Sequence, residues 1–177
     1  MIRKILRSGN PKLREISKTV VKIDSKVLKL VQDLKETLAV QKDPEGVGLA
    51  APQIGKNLRI FVANYKELNK VIINPEIIET HQSPITNHQS PKSRREILEG
   101  CLSLPNYYGP LKRVNSIKIK YLNEEGKEMT EEFKSFNAQI VLHEIDHLNG
   151  VLFLDRLLEQ KQPLYKLEAD KWEEVEL

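Results

Sequence analysis

Between residues 27 and 38 the apolar positions Val27, Leu30, Val31, Leu34 and Leu38 recur at helical intervals. That spacing puts them on one face, so an amphipathic helix is predicted here, with Ser25 as its candidate cap. Ahead of it, GNPKLRE (9–15) reads as a turn. Behind it, KDPEGVGLAAPQIG (42–55) holds three glycines and two prolines that break regular structure, after which LRIFVAN (58–64) and VIINP (71–75) read as strands. SIKIKYL (116–122) alternates apolar and polar residues, NEEGKE (123–128) has the composition of a hairpin turn, and EMTEEF (128–133) reads as the partner strand. Phe136, Ile140, Val141, Ile145 and Leu148 mark the buried face of a second helix, which Gly150 is placed to end before the apolar VLFL. HQSPITNHQSPKSRR (81–95) is polar, proline-bearing and contains HQSP twice, so it reads as a surface insertion. PLYKLEADKWEEVEL (163–177) reads as a short terminal helix pinned to the body by Trp172. The expected class is α+β, a single domain spanning 1–177, with antiparallel strands packed around a central helix, an N-terminal amphipathic helix and a C-terminal helix.

Composition narrows the setting. A chain of 177 residues with 40% hydrophobic content fits one domain with a real core. The opening MIRKILRSGNPKLR scatters charges among its first apolar residues, and no apolar run is long enough to span a bilayer, so a cytoplasmic protein without a membrane partner is expected. The net charge of +3, with 30% charged residues of both signs, does not mark a nucleic-acid binder, and no DNA partner is expected. The last fifteen residues hold five acids against two lysines, so the tail gives no indication of docking on ribosomal RNA. His81 and His88, with Lys92, Arg94 and Arg95, read as solvated surface residues. The single cysteine, Cys101, excludes an internal disulfide framework and leaves a thiol that is free or metal-bound.

The chemistry concentrates in HEIDHLNG (143–150). On a helix His143 and His147, at i and i+4, share one face and can grip a divalent metal, with Glu144 close enough to handle a proton. A catalytic site of this kind wants a third protein donor and an open position. The protease pattern HExxHxxGxxH does not supply it, because Gly150 is present but the next ligand position holds Phe153. A downstream glutamate followed four residues later by aspartate is also absent, since Glu168 is followed at that interval by Trp172. Cys101 in EGCLSLP is the remaining soft donor, and two imidazoles with one thiolate make an open site suited to zinc or ferrous iron.

Taken together, GVGLAAPQ (46–53), EGCLS (99–103) and HEIDHLNG (143–150), in that order, resemble the peptide deformylase family, with likeness from RKILRSGNPKLRE to VLFLDRL. The resemblance implies an enzyme that removes the N-formyl group from the formylmethionine of newly made proteins, using a metal held by Cys101, His143 and His147. It implies Fe2+ as the ion, with Zn2+, Ni2+ or Co2+ suiting the same donors. Glu144 is then the proton carrier, and the Gln53 side-chain amide and the Leu102 backbone N–H are the donors aimed at the oxyanion. The same match assigns main-chain contacts with an extended peptide to Val47 and Gly100 and an apolar methionine slot walled by Ile140, and it pairs Glu99 with Arg113 near the mouth. Gly46 and Gly48 are expected to let the loop backbone approach that peptide closely.

Four features depart from the family pattern. Leu142 stands where the family usually has glutamine before the first histidine, and Tyr108 where many bacterial members have arginine. The 81–95 insertion is unusual, and the tail is acidic. Two other readings stay open on the sequence: a deformylase-like hydrolase with altered acyl or peptide preference, and a non-catalytic relative that binds nascent peptides or ribosomes.

Overall fold

The computed structural model describes residues 1–42, 45–82 and 98–176, so most of the 81–95 segment, including His88, Lys92, Arg94 and Arg95, lies outside the described residues. Helix α1 spans Ser25–Ala39 and buries the face predicted for it: Val27, Leu30, Val31, Leu34 and Leu38. Its cap is Asp24, not Ser25. The Asp24 carboxylate accepts from the N–H groups of Lys26 and Val27 at 3.0 Å each, and Ser25 is the first helical residue.

Among the described residues the strands form two antiparallel sheets. The first, in the order β1-β2-β3-β6-β7, comprises β1 (Gly48–Ala50), β2 (Ile60–Tyr65), β3 (Leu68–His81), β6 (Ser116–Leu122) and β7 (Glu128–Lys134). The run IFVA is buried throughout because both faces of this sheet are covered. Ile60 and Val62 pack with α1, whereas Phe61 and Ala63 pack with α2 (Ser135–Leu148). On β6 the alternation holds, with Ile117, Ile119 and Tyr121 facing the α2 side. The β6–β7 turn is held by Asn123, whose side-chain oxygen accepts from the N–H groups of Glu125 and Lys127. Helix α2 stops at Gly150 for two reasons. The residue adopts φ +71°, and a Cβ there would fall 2.8 Å from the backbone carbonyl carbon of Arg14.

The second sheet, in the order β4-β5-β8-β9, comprises β4 (Glu99–Cys101), β5 (Leu104–Gly109), β8 (Leu164–Glu168) and β9 (Lys171–Val175). Here the terminal helix expected over 163–177 is corrected to a β-hairpin. Ala169 and Asp170 both take positive φ, 48° and 62°, the geometry of a tight two-residue hairpin turn, and β8 adds to β5 through Tyr108↔Tyr165. Trp172 is about half exposed (51%) and meets Tyr108 edge-on at 5.4 Å. Helix α3 (Phe153–Glu159) joins this sheet to the body through a small cluster of Cys101, Leu111, Phe153, Leu157 and Leu164. No described helix is long and apolar enough to cross a membrane.

Candidate active site

Three chain segments distant in sequence are brought to one place by the fold. Helix α2 carries His143, Glu144 and His147 on its buried length; β4 ends in Cys101; and a 3₁₀ turn at Ala51–Ile54, directly after β1, carries Gln53. The N-terminal segment ties the last two together, since the N–H of Leu6 donates to the Gln53 carbonyl at 2.7 Å and that of Ser8 to the Ser103 carbonyl at 2.9 Å.

The Cys101 sulfur lies 3.2 Å from Nε2 of His147, and the donor atoms of Cys101, His143 and His147 all fall within 4.8 Å of one another. All three residues are buried. Burial alone would push the Cys101 thiol up, yet the two imidazoles outweigh it and hold the thiol well below its usual value, favouring the thiolate. Nδ1 of His143 is 2.7 Å from Oε1 of Glu99, leaving Nε2 as its second donor atom. These contacts fit a three-donor cation site whose imidazole is oriented from behind by a carboxylate.

Glu144 is 3% exposed, and its Oε2 has no hydrogen-bond partner among the described residues. Burial pushes its carboxyl up to about 7, against the pull of the neighbouring imidazoles. A buried carboxylate oxygen left without a partner costs stability. Gln53, 1% exposed, accepts from the N–H of Ala50 through Oε1 at 2.8 Å and donates through Nε2 to Oγ of Ser103 at 3.2 Å, with the Cys101 sulfur at 3.7 Å. Its amide is therefore held with nitrogen toward the cation site.

Behind His143 lies a charged chain that the sequence reading captured only in part. Arg113 donates to both oxygens of Glu99, at 2.6 and 2.7 Å, and to Asp146 at 3.0 Å; Arg156 donates to Asp146 at 2.7 and 3.2 Å. Burial alone would raise the Glu99 carboxyl, but Arg113 and His143 hold it down to about 2. The Arg113 side chain is only 9% exposed and does not line the cavity, so it supports Glu99 from within rather than meeting a ligand at the mouth. Asp146 and Ser103 were not singled out from sequence. The signal for Asp146 was its place inside HEIDH, one turn after Leu142 on a helix whose other acid already had a role.

A cavity of about 180 Å³, far more than a single water needs, opens onto these groups. Val47, Gly48, Gln53, Glu99, Gly100, Cys101, Leu102, Ile140, His143 and Glu144 line it, so of the sequence-stated candidates only Arg113 and the deeply buried His147 do not. Leu142 packs against the hydrophobic cluster under α2, while Gln139, one turn earlier, donates to Oε2 of Glu99 at 3.2 Å. Tyr108 lines the cavity, and a Cβ on Gly100 would strike its ring at 2.7 Å. The glycines of the loop also have a packing reason. Gly46 abuts Leu38 and Gln41, and Gly48 abuts the Glu144 side chain. The Val47 carbonyl is already used by the Asn64 N–H at 2.9 Å.

The polypeptide deformylase family model matches residues 2–163. The chain belongs to that family. It is 42% identical over 156 residues to a peptide deformylase of Pseudothermotoga lettingae, covering 88% of this chain and 82% of that one. It is 41% identical over 160 residues to peptide deformylase 1 of Clostridium acetobutylicum, covering 90% and 97%. Among solved deformylases, that of Legionella pneumophila superposes with a TM-score of 0.76 at 38% identity, over 89% of this chain and 86% of the other. That of Ehrlichia chaffeensis gives 0.78 at 32%, over 91% and 90%. Family membership implies a divalent metal, and the Cys101, His143 and His147 cluster is where a deformylase of this sequence has the donors to hold one.

Proposed function

We infer that the protein removes the N-formyl group from the N-terminal formylmethionine of newly made proteins in the cytoplasm, releasing formate. The observation that carries this reading is the convergence of one thiolate and two imidazoles within 4.8 Å beside a buried carboxylate with an unpaired oxygen. Cys101, His143 and His147 are the residues that would hold a divalent cation, which when bound would supply Lewis-acid activation of water and of the formyl group. We assign Fe2+, with Zn2+, Ni2+ or Co2+ as ions the same donors accommodate.

The chain's own groups divide the remaining work. Glu144 takes a proton from the attacking water at its unpaired Oε2 and passes it to the departing amine nitrogen, so that water and the formamide become formate and a free amino terminus. Nε2 of Gln53 and the N–H of Leu102 donate to the oxygen on which charge develops, and Ser103 keeps the Gln53 amide turned that way. Glu99 fixes the His143 ring, and Arg113 fixes Glu99. The peptide runs as an added strand between β1 and β4, which are both sheet edges and both line the cavity; the Val47 N–H and Gly100 supply main-chain contacts. Its methionine side chain enters the apolar part of the cavity, against Ile140, Phe136 and Leu98. The readings of a non-catalytic binder or a relaxed hydrolase gain nothing from the relatives described above.

The test is formate release from formyl-Met peptides and acetate release from acetyl-Met peptides by protein purified without oxygen, with bound metal measured. Formyl-only cleavage is expected. Glu144→Ala is expected to keep its metal and lose turnover by about 10²–10⁴-fold. Loss of metal in proportion to loss of activity would overturn the role given to Glu144.

A further inference from the structure

Five residues of α2 line the cavity, about one turn apart along the helix: Phe136, Gln139, Ile140, His143 and Glu144. Next to Gln139 on its own helix the lining includes the apolar Phe136 and Ile140, with Val47 and Leu98 among the other lining residues, and its hydrogen-bond partner is Glu99. A half-buried amide in such a wall needs a reason. Neutralising Glu99 is not enough of one, because Arg113 already meets both Glu99 oxygens and His143 takes a further contact. What the 3.2 Å bond from Nε2 to Glu99 does is fix the amide's orientation. One N–H is engaged, and the second N–H and the carbonyl oxygen accept or donate no other hydrogen bond among the described residues.

We propose that Gln139 sets the side-chain preference of this cavity, giving it a hydrogen-bonding edge that admits a first residue of methionine length with a polar end, methionine sulfoxide above all, alongside methionine. The inference rests on the deformylase reading and names its substrate class more closely. A sulfoxide oxygen entering a wholly apolar slot loses its water without replacement. With Gln139 present it regains a donor, while the thioether of methionine, a weak acceptor, loses little in either setting. An apolar pocket discriminates against an added polar group by up to about a hundredfold, so exchanging the amide for an apolar side chain of similar size should sharpen the preference for methionine.

The experiment compares kcat/KM for formyl-Met, formyl-norleucine and formyl-methionine-sulfoxide peptides on the metal-loaded wild type and on Gln139→Leu, reading formate. The wild type is expected to cleave the sulfoxide peptide within about tenfold of the methionine peptide. Gln139→Leu is expected to widen that ratio about tenfold or more, chiefly through KM for the sulfoxide, and to leave the norleucine-to-methionine ratio unmoved. If Gln139 only props Glu99, the variant lowers kcat on all three peptides equally and the ratios stay fixed, which overturns the proposal. A wild-type preference for methionine over the sulfoxide beyond about a hundredfold overturns it without any variant. Absence of formate from the formyl-Met peptide would sink the deformylase reading itself and this one with it, whereas formyl-Met cleavage with fixed ratios sinks only the role of Gln139.

Discussion

Adding one methyl group at Gly48 should disable the site without touching a ligand. Gly48 sits in the edge strand β1, and a Cβ there would fall 2.9 Å from the carboxyl carbon of Glu144 and 3.0 Å from its Cγ. Carbon atoms do not tolerate that separation, so the Glu144 side chain must shift, and the open side is the cavity it lines. Overpacking of this kind costs about 1–3 kcal/mol. For a chain of this size that lowers Tm by roughly 2–12 °C, at about 2–4 °C per kcal/mol. The effect on rate is larger in proportion, because moving a proton-carrying group by about 1 Å costs on the order of 10². Gly48→Ala is therefore expected to fold, to bind metal, and to release formate about a hundredfold more slowly, measured by steady-state kinetics, metal analysis and thermal unfolding on one preparation. Gly9→Ala, whose Cβ meets nothing within 4 Å, is the control and should match the wild type in all three. Gly46→Ala meets the Cδ1 of Leu38 at 2.7 Å, the end of a flexible side chain, and should lose stability but keep kcat. A Gly48→Ala protein with wild-type kcat, or one whose slow turnover tracks lost metal, would refute the reasoning.

Two further outcomes follow from the charged groups. Arg113→Met leaves Glu99 and Asp146 buried without their shared cation, and removing one partner of such a network costs about 3–5 kcal/mol, so urea unfolding should shift by that amount; a shift below about 1 kcal/mol would show that water already supports these carboxylates. Asp155 tests a different part of the fold: burial would raise its carboxyl, but hydrogen bonds from Arg14 and from the Leu152 N–H hold it below the ordinary carboxylate range. A depressed folded-state value contributes stability in full above about pH 4, and that contribution is lost as pH falls through the lower folded value. Asp155→Ala should thus cost about 1 kcal/mol at pH 7 and distinctly less near pH 3, and an equal gap in urea midpoint at both pH values would count against the assignment.

How much of this was legible beforehand depended on whether the signal was local. The α1 face, the alternation on β6 and the α2 face are periodic over many residues, and each stands where the pattern placed it. The three site motifs were legible because their residue types are chemically unusual, and a lone cysteine among few soft donors left little choice for the third ligand. The C-terminal hairpin was missed because its turn is Ala169-Asp170 rather than a glycine-bearing pair, so nothing in LEADKW announces positive φ at two successive residues. Asp24 lost the cap to Ser25 in the sequence reading because the two acceptors are adjacent and equally suitable.

Part of what Gly48 does shows only in the fold, for a reason that applies to the whole site. From sequence, a glycine beside a substrate loop suggests room for a ligand; in the fold its missing side chain makes room for Glu144, on a helix nearly a hundred positions later. Asp146 carries the same lesson in reverse. Within HEIDH it lies beside Glu144 and the two histidines, yet it turns away from them to hold Arg113, which holds Glu99, which contacts His143. The short helix α3 joins this chain through Arg156, so an element that contributes nothing to the cavity still bears on the angle of an imidazole. Second contacts of this kind are fixed by packing, which no spacing rule encodes. They therefore become visible only when the segments are brought together.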